Sequence, residues 1–159
     1  MIIDSGARRE FESGAVRDIQ EGKGRCDLLP LCDISELTHD EFIRAIGMYL
    51  ETRDTMFLKT AIRVFVHRHY QDSWADALLE LAKHFEDGAK KYSDRNWEKG
   101  IPCHCFIDSG VRHYFKFQRG DSDEPHDRAV LWNLVCLMWT LRNHPELDDL
   151  PEPPEERKP

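Results

Sequence analysis

The chain has no long apolar segment and no excess of positive charge. No run approaches the roughly 18 apolar residues that a membrane-spanning helix needs, and the start, Met1-Ile2-Ile3-Asp4, lacks the apolar core of a signal peptide. We therefore expect a soluble cytoplasmic protein without a membrane partner. Lys and Arg number 22 against 30 Asp and Glu, giving a net charge of −8. Because nucleic-acid-binding proteins normally present a basic face, this balance argues against a nucleic acid partner.

Cysteine is scarce and irregularly spaced. The five cysteines are Cys26, Cys32, Cys103, Cys105 and Cys136. They form no disulfide framework, so reduced thiols are expected. Cys103-His104-Cys105 suggests zinc, which His113 could join, but structural zinc sites normally take four ligands from two spaced blocks. A zinc-stabilised interaction module is therefore the least favoured of three functional hypotheses.

Strand alternation and a nucleotide P-loop are also missing. Gly22-Lys23-Gly24-Arg25 resembles a phosphate loop but has neither the Walker spacing nor its hydroxyl residue. Residues 1–31 are rich in glycine and charge without periodicity, which predicts an extended N-terminal arm. Residues 145–159 are acidic and rich in proline, which predicts a disordered tail.

The rest of the chain shows helical periodicity. Thr38-His39-Asp40-Glu41 fits a capping box before a run to Leu50, and a second run covers residues 55–67. Asp72 is predicted to cap a long helix over about residues 73–92. The stripe predicted to face the core from this helix is Trp74, Leu78, Leu81, Ala82, Phe85, Ala89 and Tyr92.

Two further helices complete the prediction. One covers about residues 105–118 and ends at Gly120 as a C-terminal cap. The last begins near Asp123 with Pro125 in its first turn, and it is apolar on every face except Asn133, so it should be the buried central helix. The fold class is all-α, a bundle of four or five helices with an extended N-terminal arm, in one domain over residues 1–144.

Three carboxylates on successive helices can converge in such a bundle. Glu86 lies at the border of an apolar stripe, where an unpaired carboxylate is costly, and Asp108 and Glu124 follow on the next two helices. They are the predicted catalytic residues and, with Asp127, the predicted ligands of Mg²⁺ or Mn²⁺, with Co²⁺ as a further candidate. A carboxylate there could orient a metal-activated water or take its proton. Taken singly, each acid also fits an ordinary surface charge pair.

Cations and aromatics near these acids predict a multiply charged ligand. The predicted phosphate-binding residues are Arg17, Lys23, Arg25, Lys90, Lys91 and Arg112. Asn96, Trp97, His113 and Asn133 are predicted to line the pocket, and Tyr92 or Trp97 could stack on a base. A single bundle of this size seldom encloses a nucleotide, so we predict a homodimer or homotetramer with shared sites.

Several segments form one joint pattern with known proteins. They are residues 5–18 and 21–25, residues 88–92 with 95–100, Asp108-Ser109 with Arg112-His113, and Glu124, His126, Ala129, Trp132 and Asn133. The pattern resembles the phage dATP/dGTP diphosphohydrolase family, related to the MazG-like all-α nucleotide pyrophosphohydrolases. The resemblance covers about residues 5–31 and 76–137, and residues 34–72 look like a helical insertion without a counterpart.

The resemblance implies a MazG-like architecture and hydrolysis of a purine deoxynucleoside triphosphate, dGTP or dATP, to the monophosphate and pyrophosphate. In phages that replace adenine with 2-aminoadenine, such enzymes supply dGMP, and they would act in the host bacterial cytoplasm. MazG-like enzymes carry ExxE and ExxD on successive helices. Here Lys83-x-x-Glu86 and Cys105-x-x-Asp108 keep only the second acid, and Glu124-x-x-Asp127 falls on a later helix. The half-lost motif supports the main alternative, a catalytically silent nucleotide-binding helical protein.

Overall fold

The arm begins as a short hairpin rather than as plain extended chain. In the computed structural model, which describes residues 6–154, β1 (Arg8–Glu10) pairs antiparallel with β2 (Val16–Asp18), and Arg9 lies opposite Arg17. Gly14 turns the chain at a φ of 83°, which glycine adopts without steric cost. Strands of three residues are too short to show alternation, which is why the sequence predicted none.

Six α-helices follow the hairpin. They are α1 (Leu31–Thr38), α2 (Glu41–Thr52), α3 (Met56–Tyr70), α4 (Trp74–Lys91), α5 (Cys103–Arg119) and α6 (His126–Asn143). The predicted all-α bundle is confirmed, with α1 as one helix more than predicted. Within residues 6–154, no helix is long and apolar enough to cross a membrane.

The helix ends confirm one predicted cap and correct two. Gly120 ends α5 in the left-handed conformation, as predicted. The α2 cap is Asp40, whose Oδ1 accepts the amide of Ile43 at 3.0 Å, whereas the Thr38 hydroxyl donates to a carbonyl of α1. Ser73, not Asp72, caps α4. In both cases the chain turns through a left-handed residue before the helix, which moves the cap beyond the predicted residue.

The core forms where α5 and α6 pack on each other and on α2 and α3. Val130, Leu134 and Leu137 of α6 are fully buried, which confirms the prediction of a central helix. Phe42 of α2 stacks on Tyr114 of α5 with ring centroids 4.0 Å apart. The helices formed by residues 34–72 therefore contribute to the same core as the rest of the bundle.

The predicted apolar stripe of α4 does not face the core along its whole length. Leu81 is buried, but Trp74 and Leu78 are 43% and 55% exposed. The inward face instead carries Glu80, which bonds Arg128 of α6, and Lys91, which bonds Asp18 of β2. Part of the predicted stripe therefore faces outward, and these ion pairs lie on the side of α4 that faces the bundle.

Part of the predicted tail is ordered. Asp148 accepts from Arg53 at 3.2 Å, Asp149 pairs with His104, and Leu150 is buried. The expectation of disorder is therefore wrong for residues 145–151. Residues 155–159 lie outside the described part of the chain.

Candidate functional site

A cavity of about 550 Å³ lies between β2, α4, α5 and α6. Ten of the fourteen predicted site residues line it: Arg17, Lys23, Glu86, Asn96, Trp97, Asp108, Arg112, His113, Glu124 and Asn133. The other four, Arg25, Lys90, Lys91 and Asp127, do not line it. The cavity is within the size range of small-molecule sites in proteins.

The hairpin is held over the helices by polar contacts that form one wall of this cavity. The Asn96 amide accepts from the backbone N–H of Val16 and donates to its carbonyl, both at 2.9 Å. Asp18 accepts from Lys91 Nζ at 2.7 Å and from the Tyr92 hydroxyl at 2.9 Å. Asn96 and Lys91 therefore position β2, and with it the side chain of Arg17.

Arg17 brings a buried cation into the cavity. Its Nη2 donates to Asn133 Oδ1 at 3.2 Å, and the guanidinium lies about equally far from the Phe106 and Trp132 rings, at 5.6 and 5.5 Å. Asn133 in turn donates to the Ala129 carbonyl at 2.8 Å. The Nη1 atom is buried without a partner, and no carboxylate of residues 6–154 forms an ion pair with Arg17. Burial lowers the pKa of Arg17, yet a guanidinium stays charged in proteins.

The other predicted phosphate-binding cations differ in their availability. Lys23 lines the cavity, and its ammonium has no hydrogen bond or ion pair with a described residue. Partial burial lowers its pKa. Arg112 is bound to Asp108 and to the Gly24 carbonyl. Arg25 is held by both oxygens of Asp27 at 2.7 and 2.6 Å, and Lys90 by Glu86 at 2.6 Å.

The four predicted carboxylate ligands are not brought together. Glu86 is exposed and paired with Lys90. Asp108 is buried, and its two oxygens bind the Cys26 amide and the Arg112 guanidinium. Asp127 accepts from the Tyr70 hydroxyl at 2.8 Å, on the side of α6 that contacts α3. Of the four carboxylates, only that of Glu124 lines the cavity without a hydrogen bond or ion pair to any described residue.

Two histidines adjoin Glu124. The Nδ1 atoms of His113 and His126 are 2.8 Å apart, and His126 Nε2 lies 2.7 Å from Asp123 Oδ1. Donor atoms of His113, Glu124 and His126 all lie within 4.8 Å of one another. Burial, helped by the neighbouring His126, lowers the pKa of His113 well below its usual value, so its ring is neutral at neutral pH.

The cavity lining also includes residues that the sequence did not predict, among them His84 and Arg9. His84 of α4 lines the cavity 5.8 Å from the Trp132 ring, and its Nδ1 is buried without a partner among the described residues. Burial lowers the pKa of His84 to about 4. Arg9 lines the cavity beside Arg17. If the hairpin register had been known, Arg9 could have been predicted as a cavity residue. His84 could be assigned to the cavity only once the orientation of α4 about its axis was known.

The remaining predictions concern Trp97 and the cysteines. Trp97 packs against Phe85 and Trp139, with centroids 5.6 and 4.8 Å away. All five cysteines are free. Among residues 6–154, the groups whose donor atoms could share a metal ion contain histidine and carboxylates but no cysteine.

Comparison with known proteins gives one match. A family model described as dATP/dGTP diphosphohydrolase, N-terminal, matches residues 66–150. No curated protein matches, and no solved structure matches. The matched residues include α4, α5 and α6, which form three walls of the cavity, whereas the hairpin that carries Arg17 precedes them.

Proposed function

The chain belongs to the dATP/dGTP diphosphohydrolase N-terminal family, and from this we propose that it hydrolyses dGTP or dATP to the monophosphate and pyrophosphate. One observation carries the proposal. Among residues 6–154, the buried Arg17 guanidinium has no carboxylate partner, and the Glu124 carboxylate in the same cavity has no cationic partner. A polyphosphate bound with a divalent cation would supply both missing charges. Its phosphate oxygens would pair with Arg17, and the cation would pair with Glu124.

Arg17 and Lys23 are the phosphate-binding residues that the contacts favour. Neither is neutralised by a carboxylate of the described residues, so each can meet a phosphate without first breaking an ion pair. Arg112 contributes less directly, since its guanidinium already binds Asp108 and Gly24. Its position keeps the segment after the hairpin against α5.

The reaction consumes one water, which attacks the α-phosphorus. The bond from this phosphorus to the α–β bridging oxygen breaks, pyrophosphate leaves, and the water proton is released. Glu124 is placed to accept that proton or to hold a cation, while Arg17 and Lys23 stabilise charge on the phosphoryl oxygens. A bound divalent cation supplies Lewis-acid polarisation of a phosphoryl oxygen. The ligand roles of Glu86, Asp108 and Asp127 stay predictions, and their present partners rank them below Glu124.

The test is pyrophosphate release from a panel of dNTPs and NTPs with Mg²⁺, Mn²⁺, Co²⁺ or EDTA. We expect EDTA-sensitive release from dGTP or dATP, with the matching monophosphate as the second product. Glu124→Gln should lower turnover by at least about 100-fold, in the range seen for loss of a catalytic acid or base. Glu36→Gln, on the exposed face of α1, is the matched control and should retain activity. Glu86→Ala tests whether the sequence-predicted ligand is needed.

Two outcomes would overturn the proposal. Tight nucleotide binding without turnover under any metal would identify a catalytically silent nucleotide-binding protein. Stoichiometric zinc that is lost on replacing Cys103 and Cys105 would identify the zinc-stabilised module.

We also propose that the protein is a homo-oligomer and acts in phage nucleotide metabolism in a host cell. Trp74, Leu78 and Leu79, all within the first two turns of α4, are 43%, 55% and 65% exposed. Asp76 and Lys83 flank Leu79 at nearly equal distances along the chain. An antiparallel α4 pair centred near Leu79 would bury this leucine and place each Asp76 opposite a Lys83.

A further inference from the structure

The histidine pair next to the cavity is arranged as a metal-binding set. His113 is on α5, His126 begins α6, and Glu124 lies in the connection between them. The two Nδ1 atoms are 2.8 Å apart, and an oxygen of Glu124 lies within 4.8 Å of a ring nitrogen of each histidine. His126 is only 2% exposed, whereas His113 and Glu124 line the cavity. The set is thus buried on one side and open to the cavity on the other.

The surroundings fix the orientation of His126. Its Nε2 lies 2.7 Å from Asp123 Oδ1, and Asp123 Oδ2 is in turn 3.2 Å from Lys116 Nζ. A carboxylate that accepts the Nε2 proton leaves the Nδ1 lone pair directed at His113. Metal-ligating histidines commonly have this arrangement, in which the second ring nitrogen donates to a carboxylate.

A hydrogen-bond chain from Asp123 through His126 to His113 is the competing explanation of this geometry. It leaves Glu124 unexplained, because this carboxylate faces the two rings without any hydrogen bond or ion pair to a described residue. It also leaves unexplained the partnerless Nη1 of Arg17 in the same cavity, which calls for an anionic ligand. A cation at Glu124 and an anion at Arg17 account for both together.

We propose that His113, Glu124 and His126 bind a divalent transition metal ion, with Asp123 orienting His126. The metal-ligand set therefore differs from the all-carboxylate set that the sequence predicted. Two imidazoles and one carboxylate favour Mn²⁺, Fe²⁺, Co²⁺ or Zn²⁺ over Mg²⁺, which prefers oxygen ligands. Three protein ligands leave positions for other ligands, as in catalytic rather than structural metal sites. The proposed role of this ion in the cavity rests on the proposed function, but its binding does not.

The experiment measures metal binding in the full chain without nucleotide. Metal-free protein is titrated with Mn²⁺, followed by the loss of the free-ion electron paramagnetic resonance signal, and with Co²⁺, followed by its visible absorption. We expect one ion per chain for each metal. His126→Gln and Glu124→Gln should each weaken binding by more than about 10-fold, and Asp123→Asn by about 10- to 100-fold. His67→Gln, at an exposed histidine of α3, is the matched control and should bind as the unaltered protein does.

Circular dichroism of each variant separates loss of a ligand from loss of the fold, and Glu124→Gln gives a second variant if the buried His126 does not tolerate replacement. Absence of Mn²⁺ and Co²⁺ binding in the unaltered protein would overturn the proposal and leave a hydrogen-bond chain. Unchanged affinity in both the His126 and Glu124 variants would do the same. Metal binding without pyrophosphate release would contradict the proposed function alone. Pyrophosphate release that survives in a folded His126→Gln protein without metal binding would contradict this site alone.

Discussion

At the scale of single residues, Arg17 is held in place before any ligand arrives. Asn133 binds one of its terminal nitrogens, two aromatic rings flank the guanidinium, and the other terminal nitrogen is buried without a partner. A buried polar atom without a hydrogen bond lowers the stability of the folded state. A phosphate oxygen at Nη1 would remove that cost, so ligand affinity and the burial of Arg17 are coupled.

Arg17→Gln should therefore weaken catalysis strongly. Loss of one or two charge-assisted hydrogen bonds, each about 1.5–3 kcal/mol, corresponds to a decrease in kcat/KM of about 10- to 100-fold or more. Arg63→Gln, at an exposed position on α3, makes the same chemical change away from the cavity and should leave kcat/KM unchanged. Steady-state kinetics of pyrophosphate release compare the two variants.

An equal kcat/KM for the Arg17 and Arg63 variants would remove Arg17 from the site. If only the thermal stability of the Arg17 variant fell, the residue would be a structural cation that binds Asn133. Nucleotide-induced stabilisation of each protein distinguishes these two cases, because a ligand that contacts Arg17 protects the variant less.

Residue type alone predicted several of the cavity residues, but it could not predict which of them contact each other. Arg17 was predicted to bind phosphate from its charge in a glycine-rich arm, and Asn133 from its place in an apolar helix. Their contact joins residues 116 positions apart. Helical periodicity carries information over a few turns only, so it cannot predict such a contact. The same limit hid the His113–His126 pair, because the path of the α5–α6 connection decides it.

At the scale of helices, α1 and α2 approach each other closely at Gly47. A Cβ atom added at Gly47 would lie 2.7 Å from the Cys32 backbone nitrogen and 2.8 Å from its sulfur. Gly88 of α4 is also a helical glycine, but a Cβ there meets nothing within 4 Å. Substitutions at the two positions therefore distinguish the effect of helix propensity on stability from the effect of interhelical packing.

Gly47→Ala and Gly88→Ala should have opposite effects on stability. Overpacking at Gly47 should lower the free energy of unfolding by about 1–3 kcal/mol, even after the gain in helix propensity. Gly88→Ala should raise it by about 0.5–1 kcal/mol, because alanine loses less backbone entropy than glycine in a helix. Urea unfolding followed by circular dichroism measures both changes. A stabilised Gly47 variant would show that α1 is not closely packed on α2.

The elements themselves follow from sequence far better than their rotation does. The apolar run of α6 required burial on all sides, and α6 is the central helix. For α4, the apolar stripe predicted which face of the helix turns toward the core, and that prediction is only partly correct. Glu80–Arg128 and Lys91–Asp18 bring charged residues inward, and periodicity treats such residues as surface. An ion pair between two elements depends on a residue of the second element. The hydrophobic pattern of a single helix carries no information about that residue.

At the scale of the whole molecule, the exposed apolar residues of α4 are relevant to whether copies of the chain associate. Large apolar residues that are exposed close together often mark a contact surface. Here the exposed Leu79 is flanked by an acid and a base that an antiparallel copy would bring together.

Leu79→Glu should therefore convert an oligomer into monomers. A charge in the middle of an apolar interface should raise the dimer dissociation constant by about 100-fold or more. Leu37→Glu, the same change at an 82% exposed position on α1, should leave the dissociation constant unchanged. Sedimentation equilibrium gives the dissociation constant of each protein. An unaltered protein that is monomeric at all concentrations would contradict the prediction, as would a Leu79 variant that still associates.

The hairpin described at the start of the fold lies outside residues 66–150, the stretch by which this chain is matched to its family. A shortened protein limited to that stretch would retain the imidazoles and Glu124 but would lose Arg17 and Lys23. The stretch that the family model matches is therefore shorter than the stretch that the proposed phosphate site requires.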